Sequence, residues 1–122
     1  MIKEMQDGNV NPDVWKLEGM NREEDYQMAV EQARFSGRDS VGIVILGRAA
    51  ETPVVEDWVR VGAKVDGVIG FAIGRTIFWD PLTKFKDGGA SDEEAANEIS
   101  EGFLHYYNIF KETRDLVRFA FS

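Results

Sequence analysis

A lysine and a glutamate two residues apart are the first side chains in this sequence whose types and spacing could do chemistry. Lys16 and Glu18 end an apolar run, and alternation along a strand would place both on one face. A lysine that is desolvated and close to other cations gives up its proton more readily, and its neutral amine can form a Schiff base with a carbonyl. A neighbouring carboxylate can carry protons between carbinolamine and imine. The pair predicts covalent catalysis on a carbonyl compound.

Two arginines, each preceded by a glycine, follow two further apolar runs. The segments ending in Arg48 and Arg75 both read apolar-apolar-Gly-Arg, with Gly47 and Gly74 at the third position. Arginine binds phosphate through forked hydrogen bonds, and glycine lets the backbone approach it closely. Sites of parallel α/β folds form beyond the carboxyl ends of the strands, so these residues should meet the lysine and glutamate at one rim. The four residues are predicted to bind the phosphate of a phosphorylated carbonyl substrate.

Each of these side chains also has an ordinary structural explanation. A lysine at a strand end is usually solvated, and Glu18 could pair with a cation or cap the following helix. Arginines after strands often pair with acidic helices, which this chain has in number. The sequence leaves these explanations open beside the catalytic one.

Three apolar runs must position these residues, and they predict strands at 14–17, 41–46 and 68–73. The last two runs are continuous rather than alternating, which is typical of strands buried on both faces of a parallel sheet. In the first strand, Lys16 and Glu18 would share one face, and Trp15 and Leu17 the other. A helical pattern follows each run, so the order β-α-β-α-β-α predicts an α/β fold with a parallel sheet.

Start signals and apolar spacing locate the helices. Asn21 and Thr52 are predicted N-caps, the latter followed by proline, and Ser91 to Glu94 forms a capping box. Residues 2–6 are predicted to be the end of a helix that stops at Gly8, and the last helix is expected to reach about Val117. The predicted buried stripes of the three later helices are Tyr26, Ala29, Val30 and Ala33; Val54, Trp58, Val61 and Val65; and Ala95, Ile99, Phe103, Tyr106 and Phe110.

Length and composition bound the possible functions. The 122 residues fit one domain, 1–122, and the net charge of −8 argues against nucleic acid or an anionic membrane as a partner. No apolar run approaches the roughly 18 residues of a membrane helix, and no signal segment opens the chain, so a cytoplasmic location is expected. With no cysteine and one histidine, His105, no metal site is predicted. The glycines form neither a dinucleotide fingerprint nor a P-loop, so no cofactor is predicted.

At these same residues the chain resembles a bacterial aldolase-like family. The matching segments are residues 12–19, 46–48 and 70–78, and the last, Gly-Phe-Ala-Ile-Gly-Arg-Thr-Ile-Phe, is the most specific. The resemblance is to the 5-dehydro-2-deoxyphosphogluconate aldolase domain of inositol catabolism, a DUF2090-like domain. A looser similarity links it to tagatose-bisphosphate aldolases, which are Schiff-base (β/α)8 barrels with a Lys-x-Glu strand end and a late Gly-Arg.

The resemblance implies a role for each of these residues. Lys16 would form the imine with Glu18 as its neighbour, and Arg48 and Arg75 would bind phosphate after the seventh and eighth barrel strands. The chain would be the C-terminal three βα units of a barrel, with the first five units absent, so its fold class is a partial TIM barrel. The implied activity is that of a class I aldolase, a carbon–carbon lyase acting on a phosphorylated keto sugar or sugar acid.

Two hypotheses for function and one for assembly follow. The leading one is the aldolase; the alternative is a non-catalytic phosphate-binding or assembly module left from a truncated barrel. Three parallel strands cannot close a barrel and leave two open edges and an apolar face. A homo-oligomer, most simply a two-fold dimer, is therefore expected. The alternative is a monomer whose terminal helix folds back over the open face.

Overall fold

A computed structural model of the chain describes residues 1–120 and has three strands and five α-helices in that range. The predicted domain extends to residue 122, and its last two residues lie outside the described range. In chain order the elements are α1 (Ile2–Asp7), β1 (Val14–Glu18), α2 (Glu23–Ala33), a 3₁₀ turn (Phe35–Gly37), β2 (Gly42–Leu46), α3 (Thr52–Ala63), β3 (Val68–Ala72), α4 (Arg75–Lys86) and α5 (Asp92–Ala120).

The strands form one open sheet in the order β1-β2-β3, and both neighbouring pairs are parallel. The register aligns Glu18 with Leu46 and Leu46 with Ala72, so the three carboxyl ends lie in one row. The α/β class and the three parallel strands predicted from the sequence are confirmed, with bounds that differ by a residue at most. The sheet therefore brings the three predicted site segments to one edge.

One face of the sheet is covered by helices and carries the core. In β1 the side chains of Trp15 and Leu17 are buried and those of Lys16 and Glu18 are exposed, as the alternation predicted. The central strand contributes Ile43 and Ile45, which are completely buried. The largest completely buried side chains lie in two adjoining clusters, one with Tyr26, Ile43, Ile45 and Val68 and the other with Val55 and Val59.

The other face of the sheet is bare. It carries the side chains of Val14, Lys16 and Val44, and Val14 is 45% exposed. A bulge in β3 inserts Ile69 between the partners of Ile43 and Val44, and the Ile69 side chain lies against Gly42 on this face, 55% exposed. Parallel sheets are normally buried on both faces, so this surface is an unusual one for such a sheet.

The buried face of α3 differs from the predicted one by one residue. Val54 was expected in the core, yet it is 41% exposed, whereas Val55 and Val59 are completely buried. Trp58 and Val61 are half-buried at the margin of the core. Valines occupy positions 54, 55, 59 and 61, so the helix has apolar residues on more than one face, and packing against α4 and α5 selects among them.

Two of the predicted helix caps are wrong and one is confirmed. Arg22 rather than Asn21 precedes α2, and the Asn21 side-chain oxygen accepts a hydrogen bond from Trp58 Nε1 instead. Thr52 is the first residue of α3 rather than its cap. Ser91 caps α5 as predicted: its Oγ accepts the Glu94 N–H at 3.1 Å and donates to the Glu94 carboxylate. Helix α1 ends at Gly8, also as predicted.

Helix α4 was not predicted, and α5 does not lie where the monomer alternative required. The residues of α4 include Pro81, which argues against a helix interior because proline lacks an N–H. Helix α5 runs along α3 and α4 on the covered side of the sheet, where Phe71 of β3 lies 5.5 Å from Phe103 between ring centroids. The expectation that the terminal helix folds over the open face is therefore wrong for residues 92–120.

Candidate functional site

Most of the residues predicted to do chemistry line one cavity at the carboxyl edge of the sheet. Its volume is about 380 Å³. Five of the six predicted residues contribute to its wall: Lys16, Gly47, Arg48, Gly74 and Arg75. Apolar atoms complete the lining, from Leu46, Ala49, Ala72, Ile73 and Phe78. The cavity therefore combines three cationic side chains with an apolar wall.

Strand β1 supplies the lysine. Lys16 pairs in register with Val44 and lies two residues before the end of β1. It lines the cavity from the open face of the sheet. The side chain is exposed and makes no hydrogen bond or ion pair with any residue from 1 to 120. Its amine is thus available to a ligand.

Glu18 is the predicted site residue that does not line this cavity. Its Oε2 accepts a hydrogen bond from Arg48 Nη1 at 2.8 Å, and both side chains are more than half exposed. Glu18 instead borders a second cavity, between β1, α1 and α2. It reaches the first cavity only through Arg48.

The loop after β2 carries Arg48 in a left-handed backbone conformation. Arg48 has φ 53° and Ala49 has φ 55°, a region that non-glycine residues rarely adopt. Within the loop the Ala50 N–H donates to the Gly47 carbonyl at 3.1 Å. Outside it, Thr76 Oγ1 donates to the Ala50 carbonyl at 3.0 Å. We call residues 47–50 the clasp loop.

Arg75 enters the cavity from the first turn of α4. Gly74 precedes the helix, with no side chain capping it, and its carbonyl accepts the N–H groups of Ile77 and Phe78. The N–H groups of Arg75 and Thr76 have no helical partner, because the first N–H groups of any helix lack one. The Arg75 side chain makes no ion pair with the part of the chain that the structure describes. The partial positive charge of the α4 N-terminus and the guanidinium of Arg75 therefore lie at the same end of the cavity.

The two Gly-Arg dipeptides are not structurally equivalent, although the sequence presents them as a repeat. After β2 the dipeptide begins a strained loop that precedes α3 by several residues, whereas after β3 the arginine is already helical. Nothing in the two tetrapeptides distinguishes these outcomes. The absence of a capping side chain at Gly74 and the Pro81 in the interior hide the start of α4 from sequence inspection.

The arrangement can bind an anion and offer an amine to its neighbouring atoms. Two arginines on adjacent strand ends can each present two parallel N–H groups to phosphate oxygens. Lys16, on β1, lines the same cavity from the open face of the sheet. Glycine at position 47 avoids a tight contact in the cavity wall, because a Cβ there would lie 3.3 Å from Ile73 Cγ2.

Among the described residues there is neither a membrane-spanning helix nor a cluster of metal ligands. No helix between residues 1 and 120 is both long and apolar enough to cross a membrane. In the same range, no group of three or more histidine, aspartate or glutamate side chains is placed to hold a metal ion. His105 lies on α5 with Nε2 2.8 Å from the Glu56 carboxylate of α3, away from the cavity.

Comparison with known proteins identifies a family. Residues 1–114 match the model of a family described as "Uncharacterized protein conserved in bacteria (DUF2090)". No curated protein and no solved structure matches the chain.

Proposed function

This chain belongs to the DUF2090 family of bacterial proteins, and we propose that it is an aldolase-like domain that binds a phosphorylated keto sugar or sugar acid. The match agrees with the DUF2090-like resemblance seen at the site residues. The observation that carries the proposal is the single cavity lined by Lys16, Arg48 and Arg75. The cytoplasmic location expected from the sequence stays a prediction.

Phosphate binding is the first part of the proposed function. The chain has a net charge of −8, yet the cavity gathers three cations, so an anion is the ligand that its electrostatics favour. Arg48 and Arg75 bind the phosphate, and the free N–H groups at the start of α4 add to the site. Gly47 and Gly74 keep the backbone accessible.

Imine chemistry on Lys16 is the second part. The Lys16 amine adds to the ligand carbonyl, and the oxygen leaves as water after two proton transfers, so that an iminium remains. The bond between Cα and Cβ of the ligand then breaks. Its electron pair forms the enamine double bond between Cα and the former carbonyl carbon, while the hydroxyl on Cβ loses its proton and Cβ becomes an aldehyde. Protonation of the enamine carbon and addition of water release the second product and restore the lysine. Glu18 lies on the same strand face but is paired with Arg48 outside the cavity wall, so its predicted part in proton transfer stays a prediction.

The bare sheet face supports a partial (β/α)8 barrel. Parallel strands that follow one another in sequence, with all helices on one face, are the arrangement found in one arc of such a barrel. The face with Lys16 would then be the barrel interior. A homodimer that covers this face is part of the proposal, because a covered face would exclude water from the imine.

The test of catalysis is borohydride trapping with candidate keto-sugar phosphates, followed by peptide mass mapping. We expect a reduced adduct on Lys16 and none in the Lys16→Ala variant. Lys64→Ala is the matched control, because Lys64 is also exposed but lies at the end of α3. An adduct on another lysine, or equal labelling in the Lys16 variant, would reject the imine.

The test of the anion site uses inorganic phosphate. We expect a crystal grown with phosphate to show the ion between Arg48 and Arg75, and Arg75→Ala to weaken phosphate binding about tenfold or more, as for loss of a charge-assisted contact. Arg60→Ala is the control, since Arg60 is paired with Asp57 on α3. Unchanged binding by the Arg75 variant would remove the site.

The exposure of Lys16 favours a second candidate, a non-catalytic phosphate-binding or assembly module. An amine on a bare sheet face lacks the water exclusion that imine chemistry uses. Phosphate binding that depends on both arginines, with no trapped adduct for any ligand, would select this candidate over the aldolase.

A further inference from the structure

We propose that Glu18 is a positioning residue, whose carboxylate holds the Arg48 guanidinium in the orientation that binds phosphate. The inference deepens the phosphate site of the proposed function and rests on it. It gives Glu18 a task that is separate from proton transfer and that can be measured by binding alone.

The first support is the geometry of the contact. Glu18 Oε2 meets only Nη1 of Arg48, at 2.8 Å. The Nε and Nη2 atoms of Arg48 have no partner among residues 1–120. A forked phosphate contact needs two parallel N–H groups on one edge of the guanidinium, and the Nε–Nη2 edge supplies them. The carboxylate and a phosphate can therefore bind Arg48 together.

The second support is the backbone of the clasp loop. Two consecutive non-glycine residues with positive φ persist only where surrounding contacts hold them. Two side-chain hydrogen bonds from other elements reach this loop: Glu18 of β1 holds the Arg48 side chain, and Thr76 of α4 donates to the Ala50 carbonyl at 3.0 Å. Ala50 also packs against a buried cluster. The loop is thus held by one hydrogen-bonded contact from β1 and one from α4, the helix that follows β3. Glu18 makes the contact on the β1 side, where Lys16 also lies.

The Glu18 carboxylate also repels phosphate, and this repulsion opposes the gain in affinity from positioning Arg48. Both side chains of the pair are more than half exposed, so solvent screens the charge, and the repulsion amounts to about a two- to fourfold loss of affinity. Fixing a long arginine side chain before the ligand arrives is worth about three- to tenfold. Removal of Glu18 therefore has two opposite effects on phosphate affinity: loss of positioning weakens binding, and relief of repulsion strengthens it. The loss of positioning is the larger effect.

The experiment measures the dissociation constant of inorganic phosphate by NMR titration at fixed ionic strength. We expect Glu18→Ala to weaken binding about twofold and at most about fivefold, because the lost positioning is partly offset by the relieved repulsion. Glu18→Gln should restore most of the affinity, because its amide oxygen accepts the same hydrogen bond from Arg48. Glu51→Gln is the matched control: Glu51 is an exposed acid just beyond the clasp loop whose side chain makes no hydrogen bond or ion pair with Arg48, and its variant should bind phosphate as tightly as the parent does.

Two further measurements tie the effect to Arg48. In an Arg48→Ala background, Glu18→Ala should cause no additional loss of phosphate binding. In the single Glu18→Ala variant, the Ala50 amide should exchange its hydrogen faster, because that N–H reports closure of the clasp loop on Gly47. Thermal melts verify that each variant is folded, and Glu18→Ser replaces the alanine variant if that one unfolds.

The outcomes separate this inference from the proposed function. Tighter or unchanged phosphate binding in both Glu18→Ala and Glu18→Gln, with binding still lost in Arg75→Ala, overturns the positioning role alone. Absence of phosphate binding by the parent protein overturns the proposed function and this inference together. A loss in Glu18→Ala with rescue by Glu18→Gln establishes the role.

Discussion

At the scale of single residues, Tyr26 joins two segments through its hydroxyl group. The side chain is completely buried; its oxygen accepts the Met20 N–H at 2.9 Å and donates to the Trp58 carbonyl at 2.9 Å. It thereby ties the loop after β1, and with it the carboxyl end of that strand, to α3. Burial raises the pKa of Tyr26 to about 12, because the charged phenolate would be desolvated.

This pKa predicts a loss of stability at high pH. An unfolded tyrosine has a pKa of about 10, so between pH 10 and 12 the unfolded state releases a proton that the folded state retains. The free energy of unfolding therefore falls as pH rises through this window, by about 2 kcal/mol in all. Tyr26→Phe should start about 1–3 kcal/mol less stable at pH 8 and lack this part of the fall. Urea unfolding of both proteins from pH 8 to 12 checks it; two parallel curves would contradict it.

At the scale of elements, Arg114 fastens α5 to the turn between α3 and β3. Its Nε donates to the Ala63 carbonyl at 2.7 Å, and its Nη2 donates to the carbonyls of Val65 and Val68. The guanidinium also lies 4.8 Å from the Phe110 ring centroid. A cation at the carboxyl end of α3 binds carbonyls that have no helical partner and offsets the negative end of the helix dipole.

Removing this cation should loosen the whole helix. We expect Arg114→Ala to lower the free energy of unfolding by about 3 kcal/mol, because three carbonyls lose a charged donor. Arg114→Lys should cost less, about 1–2 kcal/mol, since an ammonium cannot reach the same fork of acceptors. Arg118→Ala, on an exposed position of the same helix, is the control and should stay within about 0.5 kcal/mol of the parent. Chemical denaturation of the parent and the three variants measures these free energies of unfolding. Equal losses in the Arg114 and Arg118 variants would contradict the role of Arg114 in attaching α5.

At the scale of the whole molecule, the bare sheet face is the feature that calls for a partner. Val14 and Ile69 are about half exposed on it, and the edges of β1 and β3 are unpaired in the three-stranded sheet. Unpaired edges and apolar patches are where protein chains associate. The dimer of the proposed function would use this surface, and a second copy is the partner always present at equal concentration.

A charge on that face should prevent the association. We expect the parent protein to scatter light as twice the 13.8 kDa of one chain at micromolar concentration, and Ile69→Lys to scatter as a monomer. Val54→Lys is the matched control, because Val54 is another exposed aliphatic residue but lies on α3, on the covered side. A parent mass of 13.8 kDa, or dissociation by both variants, would defeat the dimer through the open face.

The sequence by itself determined the elements that carry their own local signals. Two of the three strands were predictable because short continuous apolar runs bounded by turns have few alternatives, and the first was predictable from its alternating pattern. The Ser91 cap was predictable because its partner, Glu94, is only three residues away. The division of β1 into a buried and an exposed face follows from the two-residue period of any strand, and it placed Lys16 and Glu18 together without knowledge of their neighbours.

Only the tertiary structure decided the features that depend on distant residues. The buried face of α3 was ambiguous because valines lie on several sides of it, and Val55 and Val59 are buried because they pack with Ile77 of α4 and Tyr106 of α5. Helix α4 forms despite its Pro81, which is buried and lies in the helix that packs along α5. The Glu18–Arg48 contact joins residues 30 positions apart, and the left-handed clasp loop receives this contact and the hydrogen bond from Thr76. Such contacts arise from the parallel register of the strands, which aligns carboxyl ends that no local pattern relates.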